Sequence, residues 1–419
     1  MTDPAAAERD QVTDEIAHWR FACDALADLD SVASPAAWAS LEEYLRMRVR
    51  DRLAAAVAEL SREAASVSSA SARGDAAADV RRRLLRLRRH YLQVETVLDF
   101  YGDAVGSRKN PTLAGTLRGL DVIAADSLER MLRPLGIVTP TAMVYVDKGL
   151  GAAILRADVR LWDRTSVSPV AAIKLTRHNL WCPTALLHET GHQVAHLTGW
   201  TGELADCLDR VLAPRSAELA STWRGWASEV AADVHAFAQA GWAPLAPLAN
   251  VVDGDSAGVY RTIPGDPHPF PWIRVMFNTA LCRSWFGAGP WDAVAAAWVK
   301  RHPPSKAPAD VGALARLSVG AFGDIVDVCT RRPMDAFGGR PLSALADPTR
   351  VSPTALDALA RQAGPALLTS QYLARRNSIE ILSWLSTRST ADPVNAAAHR
   401  KTLQVWLAGL SAEPTARIA

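Results

Sequence analysis

Within an apolar run, residues 186–196 read LLHETGHQVAH, with His188, His192 and His196 spaced by four and Glu189 beside the first. On a helix, residues four apart lie one turn along the same face. The imidazoles of His188 and His192 can therefore converge on one tetrahedral metal ion, the chemistry of an H-E-x-x-H pattern. Glu189 is turned about 100° from His188 around the helix. That is too offset for a ligand, yet near enough to take a proton from a water that the metal acidifies. His196 lies about 12 Å from His188 along a continuous helix. Nothing in HQVAH breaks the helix, so His196 is expected to pack near the ligands or support them, not to bind. Leu186, Leu187, Val194, Ala195 and Leu197 imply a buried helix, and buried ionisable groups need partners.

A third ligand is found downstream. SEVAADVHAF sets Glu229 and Asp233 four apart among Val230, Ala231, Ala232 and Ala236. A carboxylate pair on an apolar helix face is costly without a cation or donors. Glu229 as ligand and Asp233 as acceptor from a ligand histidine would satisfy both, giving a two-His, one-Glu site for a single zinc ion.

HETGH followed by E-x-x-x-D resembles the gluzincin metallopeptidases, the thermolysin-like class. GDPHPFPWIRV adds His268-Pro269 and Arg274-Val275, similar to the H-P-x-x-x-x-R-I/V segment of the CAAX prenyl protease and HtpX-like family. Gly191 before the second histidine, and Ala236 after Asp233, also fit that family's pattern. The resemblance runs from His188 to Val275. It implies a zincin-like core in which His188, His192 and Glu229 bind zinc, Glu189 is the general base and Asp233 orients His188. His268 and Arg274 would then line the substrate side, where they stabilise the oxyanion or fix the helix of the second motif. Pro269 and Pro271 stiffen the backbone around His268. Arg274 opens an apolar helix, where an unpaired guanidinium is costly, so it should meet a carboxylate such as Asp233 or point into the cleft.

These residues need elements to hold them. In LEEYLRMRVRDRLAAAVAEL, Leu41, Leu45, Val49, Leu53, Val57 and Leu60 recur at helical spacing. SREAASVSSASARGDAAA is small and polar and predicts a loop or hinge. Val80, Leu84, Leu87, Tyr91, Val94 and Leu98 mark a second long helix. The arginines of RRRLLRLRRH read as its solvated face, with an anionic partner site as the other reading. Another helix is expected over residues 112–133. TAMVYVDK and SPVAAIKLT read as strands, and GAAILRADVRLW as helix or strand. The histidine helix is expected at about 183–198, followed by helices in ELADCLDRVL, SAELASTWRGWASEVAADVHAFAQA and PWIRVMFNTALCRSWF, then a linker at 303–310 and a mostly helical remainder.

The expected fold is mainly α with a small β-sheet (α+β). A helical N-terminal domain (1–135) and a helical C-terminal region (303–419) would flank a zincin-like catalytic domain (136–302). Ordinary hydrophobic and charged contents, 49% and 21%, suit a globular chain with a sizeable core. The net charge of +2 gives no basis for nucleic acid as the main partner. No window offers the roughly 18 apolar residues of a spanning helix, so no membrane span is expected. MTDPAAAERDQVTDE lacks the basic start and apolar stretch of a secretory signal. The five cysteines form no CxxC pair, and a reducing cytoplasm is the expected location.

The expected function is a zinc metallopeptidase acting on a protein or peptide. The strand in SPVAAIKLT would pair with the extended substrate, and a protein partner could dock on the N-terminal helices. Two alternatives stay open: a non-catalytic zincin scaffold, which would need the ligands but not Glu189, and a protease effector or toxin acting on a foreign protein.

Overall fold

The computed structural model describes residues 4–157 and 167–410. By internal contacts the chain divides into two compact units, residues 1–114 with 155–171, and residues 115–154 with 172–419.

The first unit is built on three long helices, α1 (Pro4–Ala25), α2 (Glu43–Ala72) and α3 (Ala77–Gly106), each packed on the other two. Their contact faces are the apolar seams read from the sequence: Leu45, Val49, Leu53, Val57 and Leu60 on α2, and Val80, Leu84, Leu87, Val94 and Leu98 on α3, all buried. The loop expected over residues 61–78 is corrected. α2 continues to Ala72, and only a short turn containing Gly74 (φ 75°) separates it from α3. Ala64, Val67 and Ala70 extend the buried seam, and Ser68 and Ser69 give their hydroxyls to the carbonyls of Ala64 and Ala65 one turn back. Small residues thus fill a tight interface where composition alone suggests a break. Of the six arginines of RRRLLRLRRH, 81, 82, 86, 88 and 89 are exposed on α3 and Arg83 is half-buried.

The second unit carries most of α4 (Pro111–Leu132) and, but for Leu155 and Ala171, a mixed three-stranded sheet of β1 (Ala142–Val146), β2 (Ala153–Leu155) and β3 (Ala171–Leu175), in the order β1-β3-β2. Only Ala153–Leu155 of the ambiguous GAAILRADVRLW forms a strand, and its last five residues lie outside the described residues. The sheet corrects one expectation. β3, the strand of SPVAAIKLT, is central, with a neighbour on each side. Its backbone donors and acceptors are already committed to β1 and β2, so it has no free edge for a peptide.

From β3 the chain passes through a short 3-10 turn into α5 (Ala185–Thr198), the histidine helix, which ends at Gly199 with φ 74°. α6 (Trp200–Leu212), α7 (Ala217–Gly225) and α8 (Ala227–Ala240) follow. The sequence reads 216–240 as one helix; the structure breaks it at Trp226, which caps both α7 and α8 with φ −88° and ψ 0°. Further on come α9 (Pro271–Phe286), α10 (Ala309–Thr330), α11 (Ser378–Ala391) and α12 (Ala396–Gly409). Among the described residues no helix is long and apolar enough to cross a membrane, and all five cysteines are free. The observed class is mainly α with a small sheet.

α8 is the centre of this unit. Every residue from Glu229 to Ala240 is buried, and α5, α6, α9 and α11 pack around it. A helix buried on all sides must satisfy its polar side chains internally. One group does so behind the histidines. Gln239 Nε2 donates to His235 Nε2 at 3.0 Å, and the Ser127 and Thr190 hydroxyls lie 3.2 and 3.3 Å from the same nitrogen. Burial, with a smaller contribution from the charges of His188 and His192, lowers the His235 pKa to about 3, so the ring is neutral.

This places an acid sensitivity in the core. Unfolded, His235 takes up a proton near 6.5; folded, it does so only near 3. The folded state therefore binds fewer protons in that window, and stability falls as pH drops from 6.5 through about 3. Urea unfolding at about pH 7.5 and about pH 5 should show wild type losing about 2 kcal/mol more than His235→Gln over that step. Equal losses would mean that His235 does not carry the effect.

Candidate metal centre

The centre begins with a backbone contact. Gly191 lies on α5 between the two histidines of the motif. A Cβ built on it would stand 2.9 Å from Ala232 Cα, 3.0 Å from His235 Cβ and 3.1 Å from the Ala232 carbonyl oxygen, all on α8. Only a residue without a side chain lets the two helices come this close. Glu229 and Asp233 are one turn apart on the α8 face that meets α5, so both carboxylates reach the histidines.

His188, His192 and Glu229 form a group that can hold a metal ion, with ligand atoms all within 4.8 Å of one another. His188 Nε2 lies 3.3 Å from one Glu229 oxygen, and His192 Nε2 3.2 Å from the other. Ligands about 2.1 Å from a tetrahedral zinc ion would be separated by about 3.4 Å, so the two His–Glu229 distances match such an ion, and the 4.8 Å spread of the group leaves a small inward movement to complete it. His188 Nδ1 donates to Asp233 Oδ1 at 2.8 Å, which leaves the Nε2 lone pair facing the centre. Ser228 Oγ stands 3.5 Å from His192 Nδ1, at the long limit of such a bond.

Asp233 gathers donors from two other helices. Arg274 on α9 reaches it twice, Nε to Oδ2 at 2.8 Å and Nη2 to Oδ1 at 2.7 Å, and Asn278 Nδ2 adds a bond of 3.1 Å. Arg274 Nη2 also lies 3.2 Å from Glu229. Pro271 at the first position of α9 starts that helix, and Arg274 and Asn278, four apart, share its inner face. Arg274 thus meets the carboxylate expected of it. Its fork is engaged with Asp233 and Glu229 and braces α8 against α9.

Burial alone would raise both carboxyls. For Glu229 the hydrogen bonds from His188 and His192, aided by the Arg274 charge, outweigh burial and hold the group well below the usual carboxylate range. For Asp233 the Arg274 guanidinium does the same. Burial would lower His188, but its bonds to Asp233 and Glu229 push it up to about 10. Once His188 gives up its Nε2 proton to a metal, two ionised carboxylates face one guanidinium, and the divalent cation would offset the remaining negative charge. Glu189 differs: it is buried, and burial pushes its carboxyl up from the ordinary range despite the neighbouring histidines. A carboxyl that holds its proton more readily than usual suits a group that must accept one and pass it on.

His268 comes from the loop before α9. It is 56% exposed at the side chain, with Nε2 3.5 Å from Glu229 Oε1, so it borders the ligands from the solvent side. Asp266, which the sequence reading passed over, orients it: Asp266 Oδ1 accepts from His268 Nδ1 at 2.6 Å and from its backbone N–H at 3.0 Å. His196 is corrected. It lies exposed in the last turn of α5 and outside the ligand group. Each four-residue step advances about 40° around the helix, and two steps carry His196 off the face shared by His188 and His192. The reading also missed Asn278 and Ser228. The R-x-x-x-N spacing on α9 is the signal that pointed to Asn278. Ser228 precedes Glu229 and carries no signal of its own.

Compared with protein-family models, curated proteins and solved structures, the chain matches none.

Two substitutions probe this geometry. Asp233→Asn leaves the buried Arg274 short of its main counter-charge and turns one of the two acceptor oxygens into a donor, so that His188 and the Arg274–Asn278 pair can no longer all be satisfied. It should cost about 3–5 kcal/mol in denaturant unfolding and weaken metal binding roughly 10- to 100-fold. A variant as stable as wild type would show that the Asp233–Arg274 pair does not brace the site. Gly191→Ala drives a methyl into backbone, which cannot swing away, and should cost about 1–3 kcal/mol despite alanine's better helix propensity. A rise in thermal midpoint would mean that α5 and α8 have room to separate.

Proposed function

We propose that the protein is a zinc-dependent peptidase of the gluzincin type, similar to the CAAX prenyl protease and HtpX-like family. One observation carries this reading: Glu189 is buried beside a two-histidine, one-glutamate cluster whose His188 is already oriented by Asp233. Structural support of a fold requires ligands; it does not require a buried carboxyl next to them with no ion-pair partner of its own among the described residues.

His188, His192 and Glu229 would hold one zinc ion, which when bound supplies Lewis-acid activation of water and of the scissile carbonyl. Glu189 takes the proton released from the attacking water and carries it to the leaving amine, since its raised pKa suits both halves of that transfer. Asp233 keeps the proton of His188 on Nδ1, away from the ligand face. His268, with Nδ1 held by Asp266, turns Nε2 toward the centre. A proton on that nitrogen would donate to the carbonyl oxygen where negative charge develops. Arg274 takes the bracing role, because its donors are turned to Asp233 and Glu229.

A second reading is a zincin-like scaffold without turnover. It is favoured by the way the cluster closes on itself, with His188, Arg274, Asp233 and Glu229 paired among one another.

Metal analysis and a digest of an unbiased peptide library separate the two. Wild type should carry one zinc per chain and cleave peptides. Glu189→Gln should keep the zinc and the fold but lose turnover by roughly 10²- to 10⁴-fold. Wild type and variant equally inactive across the library would leave the scaffold reading. His268→Ala should lower kcat with zinc content unchanged; full activity in that variant would remove His268 from the machinery.

A further inference from the structure

Beside the candidate centre, on the far side of His268, is a cleft of about 350 Å³. Its floor is apolar and aromatic: Trp226, Phe270, Val311 and Leu314 line it, and all are buried. The Trp226 and Phe270 rings pack edge to face with centroids 5.9 Å apart, which makes a rigid wall. Asp266 and His268 form the end nearest the metal ligands, and Ile263, 47% exposed, stands on the rim.

Apart from His268, the charged groups of the cleft are carboxylates, beside the neutral hydroxyls of Ser221, Thr222 and Thr262. Glu218 in the first turn of α7 and Asp310 in the first turn of α10 both line it, and the lining contains no lysine or arginine. Among the described residues neither takes part in an ion pair. The one cation-forming group, His268, is already held by Asp266. Each carboxylate by itself is an ordinary first-turn acid. What sets them apart is that two separate helices deliver them to one cavity, above an aromatic floor, one side chain away from Glu229.

An apolar channel with carboxylates at its mouth matches a long aliphatic stem ending in a positive charge. The methylenes lie on the aromatic and aliphatic floor while the charged end stays at the solvated rim. There it meets the carboxylates of Glu218 and Asp310. An acidic side chain would be repelled. We infer that this cleft is a subsite for a lysine or arginine side chain of the substrate, adjacent to the bond to be cleaved. The inference rests on the peptidase reading, and it names the substrate class as a peptide with a basic residue beside the scissile bond.

The full-length, zinc-loaded protein tests this with peptides that differ at one position, on each side of the cleaved bond in turn. That position carries lysine, its uncharged analogue norleucine, or glutamate. At one of the two positions lysine should exceed norleucine in kcat/KM by about tenfold, as two partly exposed carboxylates allow, and glutamate should fall below both. In Glu218→Gln/Asp310→Asn the lysine advantage should drop to near parity, with norleucine turnover unchanged. No lysine preference at either position, or one that persists in the double variant, overturns the subsite while leaving the peptidase reading intact. A readout independent of turnover is saturation-transfer NMR with Nα-acetyl-lysine methylamide against Nα-acetyl-norleucine methylamide. The lysine compound should bind wild type more strongly than its analogue and lose that advantage in the double variant. Such binding without cleavage of any peptide would uphold the cleft and overturn the peptidase reading. Equal binding of the two compounds overturns the subsite.

Discussion

The backbone contact between α5 and α8 at Gly191 and Ala232 sets the geometry on which the candidate centre depends. A glutamate side chain is short, and it reaches imidazoles on a neighbouring helix only if the two helix axes come closer than ordinary side chains permit. Gly191 supplies that closeness at one point, in the turn between His188 and His192. Ala232 answers it from α8, in the turn between Glu229 and Asp233. Glu229 then sits opposite both histidines and Asp233 opposite the back of His188.

Closeness brings an electrostatic problem, and α9 supplies its solution. Two carboxylates on a helix buried on every side would repel each other and lose their water. Arg274 places a guanidinium across both, and Asn278 fills a remaining acceptor position on Asp233. The same ion pairs fix the rotation of α8, so that the Glu229 carboxylate points to the histidines and not into the core. Glu189 is outside this network of pairs. It keeps an elevated affinity for protons while Glu229 and Asp233 are held ionised. Carboxyls within one small volume are thus assigned different protonation behaviour by their neighbours alone.

The loop from Ile263 to Phe270 links the centre to its surroundings. Asp266 and His268 face the ligands on one side and the cleft floored by Trp226 and Phe270 on the other. The break between α7 and α8 at Trp226 belongs to the same arrangement. It turns α7 so that Glu218 lies at the cleft while α8 continues into the core.

Much of this was legible in the chain itself. The i, i+4 pairs His188/His192 and Glu229/Asp233 declare their shared faces because helix periodicity is a local property. The apolar residues around them declare burial, and a buried arginine at the start of an apolar helix declares a carboxylate partner. Local pattern also defined the long seams of α2 and α3. Where it failed, the deciding quantity was not local. Residues 61–72 read as a loop by composition, yet their small side chains fit a tight helix interface that only packing reveals. SPVAAIKLT was recognisable as a strand, but strand propensity carries no information on whether a strand lies at the edge or the centre of a sheet, and β3 is central. His196 shares the spacing of the other two histidines, but helix twist carries it off their face and into solvent. Asn278 acts through Asp233 on another helix, and only its R-x-x-x-N spacing to Arg274 marks it; Asp266 holds His268 two residues on in a loop, where no helical period applies. The sequence by itself determined which helix faces carry the chemistry, since those follow from 3.6 residues per turn. Which faces meet, and how closely, only the tertiary structure decided, because distances between residues remote in sequence depend on how the whole set of helices packs.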